Sequence, residues 1–190
     1  QKFGWERANW FAPEGVEQID DWSFRRSAYH EHVGNECKNV AQNVGLLDMS
    51  AFAKCRISGP GADAFLESFI ANSLPKKIGR LGLCHALNTS GGVHSEFTIM
   101  REAPDSFYLV SAGAMQRLDH DYLKKAMPDD GSVRFDQLTN QIGVLVLAGP
   151  KARTLMERVS SADFSNAAFP WLSGQQIDVG LAPTLAVRVN

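Results

Sequence analysis

The 190-residue sequence lacks an excess of charge of either sign. It has 19 Lys and Arg against 21 Asp and Glu, so its net charge of -2 provides no basic surplus for a phosphate backbone or an anionic membrane. It also lacks an apolar run near the roughly 20 residues that span a bilayer, and its first residues lack the pattern of a signal peptide. We therefore expect an intracellular globular domain that binds neither nucleic acid nor membrane.

Cysteine is scarce as well. Cys37, Cys55 and Cys84 are odd in number and far apart, which favours free, mostly buried thiols over a disulfide framework or a paired-cysteine zinc site. His30 and His32 form a His-x-His pair, but no cysteine or third histidine is near them in the sequence. We interpret the pair as part of a polar helix face and predict no metal site.

The ends of the sequence lack the usual signs of a start and a stop. Gln1 stands where a methionine would, and residues 185–190 alternate like a strand without a closing turn. We interpret the chain as a fragment of a longer polypeptide. Its length suffices for one well-buried core with a second, incomplete lobe.

A turn followed by an alternating strand, over residues 87–100, organises the rest of the sequence. Residues 88–92 are a cluster of turn formers with two glycines, and the alternation that follows predicts a β-hairpin. Side chains alternate across a strand, so Glu96 lies on the face opposite Phe97, together with His94, Thr98 and Met100. By spacing alone, Glu96 is a solvated acid on the open face of a half-buried sheet.

Two segments of the sequence repeat without a gap. Residues 58–67 and 148–157 share a Gly-Pro pair, followed by Ala and Glu at equal spacings. Gly permits a sharp exit from a strand and Pro suits the first turn of a helix, so the copies predict helices over about 61–71 and 151–159. Neither copy has the Gly-Lys-Ser/Thr ending of a phosphate-binding loop. We predict an α+β fold of two related halves, with helices on one face of a mainly antiparallel sheet.

Hydrophobic periodicity predicts the remaining elements. Apolar residues at spacings of three and four indicate helices over about 24–44, interrupted at Gly34, and over 116–127. Residues 46–58 indicate one or two strands, with Leu47, Met49 and Phe52 facing inward. Further strands are predicted over residues 79–87, 107–111, 133–138, 142–147, 176–179 and from 185.

Residues 1–23 have neither helical nor strand periodicity. They contain three tryptophans, Trp5, Trp10 and Trp22. Burying an aromatic ring removes a large apolar area from water, so we expect an irregular arm that is fixed to the domain by its tryptophans.

Five segments carry a resemblance to a known family: Leu46-Leu-Asp-Met-Ser, Ser58-Gly-Pro-Gly-Ala, Asn88-Thr-Ser-Gly-Gly-Val-His-Ser-Glu-Phe-Thr-Ile, Phe107-Tyr-Leu-Val-Ser and Val146-Leu-Ala-Gly-Pro-Lys-Ala-Arg. Together, and in this order, they resemble the folate-binding domain of the glycine-cleavage aminomethyltransferase (T-protein) family. The arm Phe3-Gly-Trp-Glu-Arg-Ala-Asn-Trp-Phe-Ala resembles the segment that joins the flavin-dependent half to the folate half in dimethylglycine and sarcosine dehydrogenases. The resemblance implies an arm and junction over 1–34 and a folate-binding domain over 35–190, incomplete at its C-terminus.

The resemblance also implies a set of site residues. Glu96 matches a carboxylate, usually Asp, beside the folate pteridine, and its implied role is that of a general base and positioning group. Phe52 matches an apolar residue that packs on the folate ring, and Leu83, Tyr108 and Val110 match residues that line the cavity. By spacing alone, these four are core residues.

The implied activity is tetrahydrofolate-dependent one-carbon transfer in a dimethylglycine or sarcosine dehydrogenase-like flavoenzyme, which captures a methylene iminium as 5,10-methylenetetrahydrofolate. FAD would belong to a covalently linked N-terminal dehydrogenase half, in the bacterial cytoplasm or the mitochondrial matrix. The family's second acid is expected in a Tyr-x-Gly-Glu segment directly after Asn190, so we expect the fragment alone to bind folate weakly or not at all and to be inactive. Two alternatives stay open: a stand-alone aminomethyltransferase, and a non-catalytic domain whose cavity binds a ligand or serves as a scaffold.

Overall fold

A computed structural model of the chain describes residues 6, 8–19 and 22–189. Over these residues the chain forms a mixed α+β fold in which all paired strands are antiparallel. The helices are α1 (His30–Gln42), α2 (Ala62–Phe69), α3 (Gln116–Ala126) and α4 (Ala152–Val159), with a 3-10 helix at Gly113–Met115. The strands are β1 (Gly45–Asp48), β2 (Ala53–Ser58), β3 (Leu81–Leu87), β4 (Val93–Ala103), β5 (Ser106–Ser111), β6 (Arg134–Gln137), β7 (Leu145–Ala148), β8 (Ser173–Val179) and β9 (Ala182–Arg188).

A five-stranded sheet in the order β3-β4-β5-β2-β6 forms the centre of the fold. One of its faces packs against α2 and α3, because Phe65 and Leu66 of α2 and Leu123 of α3 share one core with the strands. The strand residues of this core are Cys55, Ile57, Cys84, Ala86, Phe97, Ile99, Phe107 and Leu109. The prediction of an antiparallel sheet with helices on one face is confirmed.

The other face of the sheet carries the β8–β9 hairpin at one end. Leu172 and Leu185 pack there against Leu81, Met100 and Tyr108. Backbone bonds fix the hairpin to the sheet, since the amide that begins β3 donates to the carbonyl just before β8 at 3.0 Å. This hairpin therefore removes one end of the face from solvent.

The opposite end of the same face, toward the β3–β4 turn, is more accessible. Strand register places Leu83, His85, Glu96, Thr98 and Val110 there on adjacent strands, and alternation directs their side chains to one side. We call these five residues the open face. It is the part of the central sheet where polar and apolar side chains meet away from the helices.

The two Gly-Pro turns confirm the repeat. Gly59 and Gly149 have φ angles of 114° and 125°, a left-handed region that favours glycine. Pro60 and Pro150 lie in the turns that follow, and the first helical amide donates back to the glycine carbonyl at 2.9 Å in α2 and 3.0 Å in α4. The predicted helices start at these turns, as expected.

Residues 46–58, predicted as one or two strands, form two strands. β1 pairs with β7 in a separate two-stranded sheet, and β2 begins at Ala53 in the central sheet. A turn separates them: the amide of Ser50 donates to Asp48 Oδ1 at 2.8 Å, and the amide of Phe52 donates to the Met49 carbonyl at 3.0 Å. The expectation that Leu47 faces inward is wrong, because the two-stranded sheet leaves it exposed.

Helix α1 is shorter than predicted and is not interrupted. It begins at His30 rather than near residue 24, and it continues through Gly34, where an added Cβ would meet no other atom within 4 Å. None of its residues is buried, so Cys37 is exposed, whereas Cys55 and Cys84 are buried as expected. The hydrophobic spacing in this segment reflects one side of a surface helix.

The arm does not dock as predicted. Over residues 8–19 it forms neither helix nor strand, and its side chains are exposed. Trp22 is 89% exposed and Trp10 is 37% exposed, so neither ring is buried. Trp5 lies outside the described residues, so the prediction for it stays untested.

Candidate functional site

Glu96 lies at the centre of the open face, on β4 directly opposite His85 on β3. His85 Nε2 is 3.2 Å from Glu96 Oε2, and the Glu96 side chain is 61% exposed. The carboxylate of Glu96 is therefore exposed to solvent and also in contact with a histidine. It is available to a ligand while one of its oxygens is already held by the protein.

Asn72 fixes the orientation of His85. The amide of His85 donates to Asn72 Oδ1 at 2.8 Å, and the same oxygen lies 3.2 Å from His85 Nδ1. Because Asn72 Oδ1 only accepts hydrogen bonds, Nδ1 carries the proton. His85 Nε2 lies within hydrogen-bond distance of Glu96 Oε2, so His85 and Glu96 form a contact pair that holds one carboxylate oxygen.

The turn beside this pair is closed by Asn88. Asn88 Oδ1 accepts hydrogen bonds from the amide and hydroxyl of Ser90 and from the amide of Gly92, at 2.8 to 3.0 Å. Gly91 has a φ of 82°, which satisfies the predicted need for glycine in the turn. The side chain of Asn88 thus fixes the loop that joins the two strands of the pair.

The predicted apolar residues occupy three different environments. Leu83 is 53% exposed on the open face, and Thr98 and Val110 follow it across β4 and β5. Tyr108 is buried under the β8–β9 hairpin, and this burial, with Glu102 nearby, raises the pKa of its phenol to about 12. Phe52 lies half-buried in the turn before β2 and outside the sheet.

Two of the predicted apolar residues, Leu83 and Val110, thus share the open face with Glu96. Tyr108 shares the same side of the sheet but is covered. Strands β3, β4 and β5, which carry Leu83, Glu96, Tyr108 and Val110, lie in one sheet, whereas β1, which precedes Phe52, belongs to another sheet.

Lys54 is a buried cation on the same side of the sheet as Glu96. It is fully covered, it pairs with Val110 across β2 and β5, and its Nζ donates to the Ser50 carbonyl at 2.7 Å. Burial lowers the pKa of its ammonium group, while Asp48 raises it. The ammonium group is thus held at the turn before β2, close to Asp48.

A small cavity of about 230 Å³ lies at the end of the sheet, between β4, the 3-10 helix and α3. Glu96 and Asp119 both line it. His94, also in the lining, stacks on Tyr122 with ring centroids 4.0 Å apart, and its Nδ1 lies 2.9 Å from Ser95 Oγ. The cavity therefore extends the neighbourhood of Glu96 past the edge of the sheet.

Sequence reasoning missed His85, Asn72 and Asp119. His85 lies two residues after Leu83 on a predicted strand, so the pattern predicts that the two side chains share a face. The partner of His85 was not predictable, because pairing depends on the register of the hairpin. Asn72 and Asp119 come from a loop and a helix, and no local pattern connects either residue to the strand that carries Glu96.

Two other kinds of feature are absent from the described residues. Within them, no group of three or more His, Cys, Asp or Glu side chains is placed to hold a metal ion. No helix among them is long and apolar enough to cross a membrane. His30 and His32 lie in the first turns of α1, on an exposed helix.

Comparison with known sequences identifies the family. All of the chain, residues 1–190, matches the GCVT N-terminal domain family. The chain belongs to this family. A relative, the mitochondrial dimethylglycine dehydrogenase of Mus musculus, is 33% identical over 188 residues, which are 98% of this chain and 22% of the dehydrogenase. The chain thus spans about a fifth of the length of this relative.

Two solved structures have a similar fold. Glycine cleavage system aminomethyltransferase T from Bartonella henselae has a TM-score of 0.61 at 22% identity, over 74% of this chain and 37% of that one. Heterotetrameric sarcosine oxidase from Corynebacterium sp. U-96 has a TM-score of 0.63 at 19% identity, over 88% of this chain and 83% of that one. The chain is an aminomethyltransferase-like domain related to dimethylglycine dehydrogenase, which confirms the resemblance found in the sequence.

Proposed function

We propose that this chain is the tetrahydrofolate-dependent one-carbon transfer domain of a dimethylglycine or sarcosine dehydrogenase-like flavoenzyme. In this proposal it captures the methylene iminium product of amine oxidation as 5,10-methylenetetrahydrofolate. A covalently linked dehydrogenase half would bind FAD, in the bacterial cytoplasm or the mitochondrial matrix. The observation that carries the proposal is the open face, where a partly exposed carboxylate, Glu96, adjoins the apolar side chains of Leu83 and Val110.

The chemistry of the open face fits a folate ring system. A pteridine is flat and carries N–H donors, so it needs apolar surface against its face and an acceptor at its edge. Leu83 and Val110 would provide the apolar surface, and Glu96 would provide the acceptor. When bound, tetrahydrofolate supplies the nucleophilic nitrogen atoms that receive the one-carbon unit.

Glu96 acts in this proposal as the general base. It takes up the proton that a folate nitrogen loses as that nitrogen bonds to the one-carbon unit, and the departing amine takes a proton in turn. His85 holds Oε2 in place, while Asn72 keeps the His85 ring from turning. His85 and Asn72 are therefore positioning residues, and Glu96 is the catalytic residue.

The test is Glu96→Gln in the flavoenzyme, because glutamine keeps the size and hydrogen bonding of the side chain but removes the base. We expect methylenetetrahydrofolate formation to fall by about 100-fold to 10,000-fold, with free formaldehyde formed instead. Amine oxidation by the flavin half should continue at its normal rate. Both products can be measured in the same reaction, one by absorbance of the folate and one by trapping the aldehyde.

A matched control is Glu67→Gln, which removes an exposed carboxylate from α2, on the opposite side of the sheet. It should leave both products unchanged. Unchanged folate product in Glu96→Gln would contradict the proposal and return Glu96 to a solvated acid. A variant that makes no folate product because its fold has been lost is recognised by circular dichroism.

A further inference from the structure

The internal repeat extends well beyond the two Gly-Pro turns. α2 begins at Ala62, and α4 begins 90 residues later at Ala152. The first half of the chain has the order α1-β1-β2-α2-β3-β4-β5, and the second half has the order α3-β6-β7-α4-β8-β9. Within residues 22–189, the second half therefore has no counterpart of β5.

The pairing of the strands follows the same repeat. In the central sheet, β5 lies between β4 and β2 and is antiparallel to both. The two halves exchange their first strands, because β6 pairs with β2 and β1 pairs with β7. The order β3-β4-β5-β2-β6 thus corresponds, in the second half, to β8-β9 and β7-β1 with one position vacant between β9 and β7.

Helix packing agrees with this correspondence. Met156 of α4 shares an apolar cluster with Ile177 of β8 and Ala186 of β9. In the first half, Leu66 of α2 shares the main core with Cys84 of β3 and with β4. The helix and the hairpin of the second half therefore already have the arrangement that surrounds β5 in the first half.

Antiparallel geometry identifies the amides of β7 that face the vacant position. The Met49 amide donates to the Val144 carbonyl at 2.8 Å, which makes these two residues a hydrogen-bonded pair. Hydrogen-bonded pairs alternate along a ladder, so the Val146 amide points to β1. Leu145 and Leu147 therefore direct their amides away from β1.

The same argument applies to β9. The Gly174 amide donates to the Gly79 carbonyl at 2.7 Å, away from β9. Val187 is the partner of Gly174, so its amide points away from β8 in turn. We call the amides of Leu145, Leu147 and Val187 the outward amides.

The composition of β7 is unlike that of a free sheet edge. Its four residues are Leu, Val, Leu and Ala, and Leu145 is 66% exposed. Free edges usually carry charged residues or proline, and a sheet of two strands is marginally stable in water. β7 therefore has the character of an inner strand, like β2.

We propose that one further strand lies between β9 and β7, antiparallel to both, and that the segment directly after residue 190 of a longer polypeptide provides it. In the first half, β5 begins only three residues after the end of β4, so its counterpart is expected soon after β9. This chain covers 22% of the mouse dimethylglycine dehydrogenase, so a polypeptide of that kind has further segments to provide the strand. The inference does not depend on the folate chemistry.

Hydrogen exchange of the full polypeptide, read at single residues by mass spectrometry, tests the proposal. The control is the amide of Leu46, which lies opposite Leu147 and points to the outer edge of β1. We expect the outward amides to exchange at least about 100-fold more slowly than Leu46. The same data should show a protected run of about six residues, the length of β5, soon after residue 190.

A pair of proline variants sharpens the test. Leu147→Pro removes an amide that the added strand would bond, whereas Leu46→Pro removes one at the outer edge, where proline is tolerated. Leu147→Pro should speed exchange at Val187 at least about tenfold, and Leu46→Pro should leave it unchanged. Protection at Ile57 in β2 shows that a variant is folded, and the unsubstituted protein decides alone if Leu147→Pro unfolds.

Four outcomes would overturn the proposal. Outward amides that exchange as fast as Leu46 would mean that both edges are free. Protection that disappears on dilution would assign the vacant position to a second copy of the chain. The absence of a protected run in the first 20 or so residues after residue 190 would mean that the strand comes from elsewhere. Equal effects of the two proline variants would show that Leu147 faces no partner.

Discussion

The two Gly-Pro units of the chain share a turn and differ in what surrounds it. We call residues 53–69, β2 with α2, the first unit, and residues 145–159, β7 with α4, the second unit. In the first unit, β2 lies between β5 and β6, and α2 buries Ala62, Phe65 and Leu66. In the second unit, β7 pairs with β1 in a two-stranded sheet, and α4 has no buried residue among those described.

This difference separates a local effect of the sequence, the turn, from a non-local one, the burial of each unit. The turn is local, so a Gly with positive φ followed by Pro produces it in both units. Burial is not local, because it depends on how many strands and helices pack on each unit. A repeated motif therefore predicts repeated geometry but not repeated stability, and the variants below measure how far the two units differ.

The largest expected difference is in thiol reactivity. Cys55 belongs to the first unit, and burial, with Asp119 nearby, raises the pKa of its thiol to about 12. Since a thiolate is the reactive form, Cys55 should be about a thousandfold less reactive than an ordinary thiol at neutral pH. Cys37 is exposed on α1, the helix that contacts the second unit through Asn43. Iodoacetamide labelling followed by mass spectrometry should modify Cys37 first.

Denatured protein is the control for this labelling, since all three thiols should then react alike. Rapid modification of Cys55 in the folded chain would show that the first unit opens more readily than its burial indicates.

The next effect concerns equivalent helix positions in the two units. Leu66 is fully buried in the main core, and its counterpart in the repeat, Met156, is only partly buried against a smaller cluster. We expect Leu66→Ala to lower the free energy of unfolding by about 3 to 5 kcal/mol and Met156→Ala by about 1 to 2 kcal/mol. Urea unfolding measures both values. Equal losses would mean that the second unit is as well packed as the first.

A smaller effect is expected at the turn glycines. A Cβ at position 59 would lie 2.4 Å from the Ser132 carbonyl oxygen, and one at 149 would lie 2.5 Å from that of Asn43. Gly59→Ala should cost about 2 to 3 kcal/mol, and Gly149→Ala less, because Asn43 follows a helix without buried residues and has more freedom to shift.

Gly131→Ala is the matched control for these glycines. Its φ of 75° is also left-handed, but nothing lies within 4 Å of its Cβ position, so it isolates the backbone strain of about 1 kcal/mol. If all three alanine variants lost the same stability, the close approach of the carbonyls would contribute nothing.

The smallest expected effect is the acid sensitivity of α3, the helix that packs on the sheet containing the first unit. His120 on α3 contacts the edge of Phe135, and burial, with Lys124 nearby, lowers the pKa of its imidazole below 6.5. The unfolded chain then binds a proton at His120 before the folded chain does, so stability is lost as the pH falls below 6.5. His120→Phe keeps an aromatic ring there and should flatten the decline in melting temperature between pH 7 and pH 5. An unaltered slope would exclude His120 as its source.

Much of the central sheet was predictable, because alternation and turn chemistry are local. Residues 88–92 gave the hairpin, and the Gly-Pro pairs gave the starts of α2 and α4. The assignment of the two strands around Phe52 to different sheets was not predictable, because it depends on pairing with distant segments, β1 with β7 and β2 with β5 and β6. The exposure of Trp10 and Trp22 depends on surfaces that no local pattern describes.

The pairing of Glu96 with His85 shows why the candidate site was harder to predict from the sequence than the fold. Counting outward from the turn, with Leu87 opposite Val93, would place His85 opposite Ser95. The register shifts by one residue between Ala86 and Leu87, and this irregularity brings His85 opposite Glu96 instead. A one-residue change of register exchanges the two faces of a strand, so the central pair of the candidate site depends on a feature without a sequence signature.

The β8–β9 hairpin also determines how much of the central sheet is uncovered on the face that carries Glu96. It covers Met100 and Tyr108, so the uncovered positions on β4 are Glu96 and Thr98, one side-chain repeat of about 7 Å along the strand. Across β3, β4 and β5 the same area extends over two strand spacings, or about 10 Å. An area of this size matches a single fused ring pair lying flat. A hairpin shorter by one residue pair would uncover one more side-chain repeat, about 7 Å, along β4. The reach of the hairpin, rather than the sheet itself, thus sets how much of this face stays uncovered.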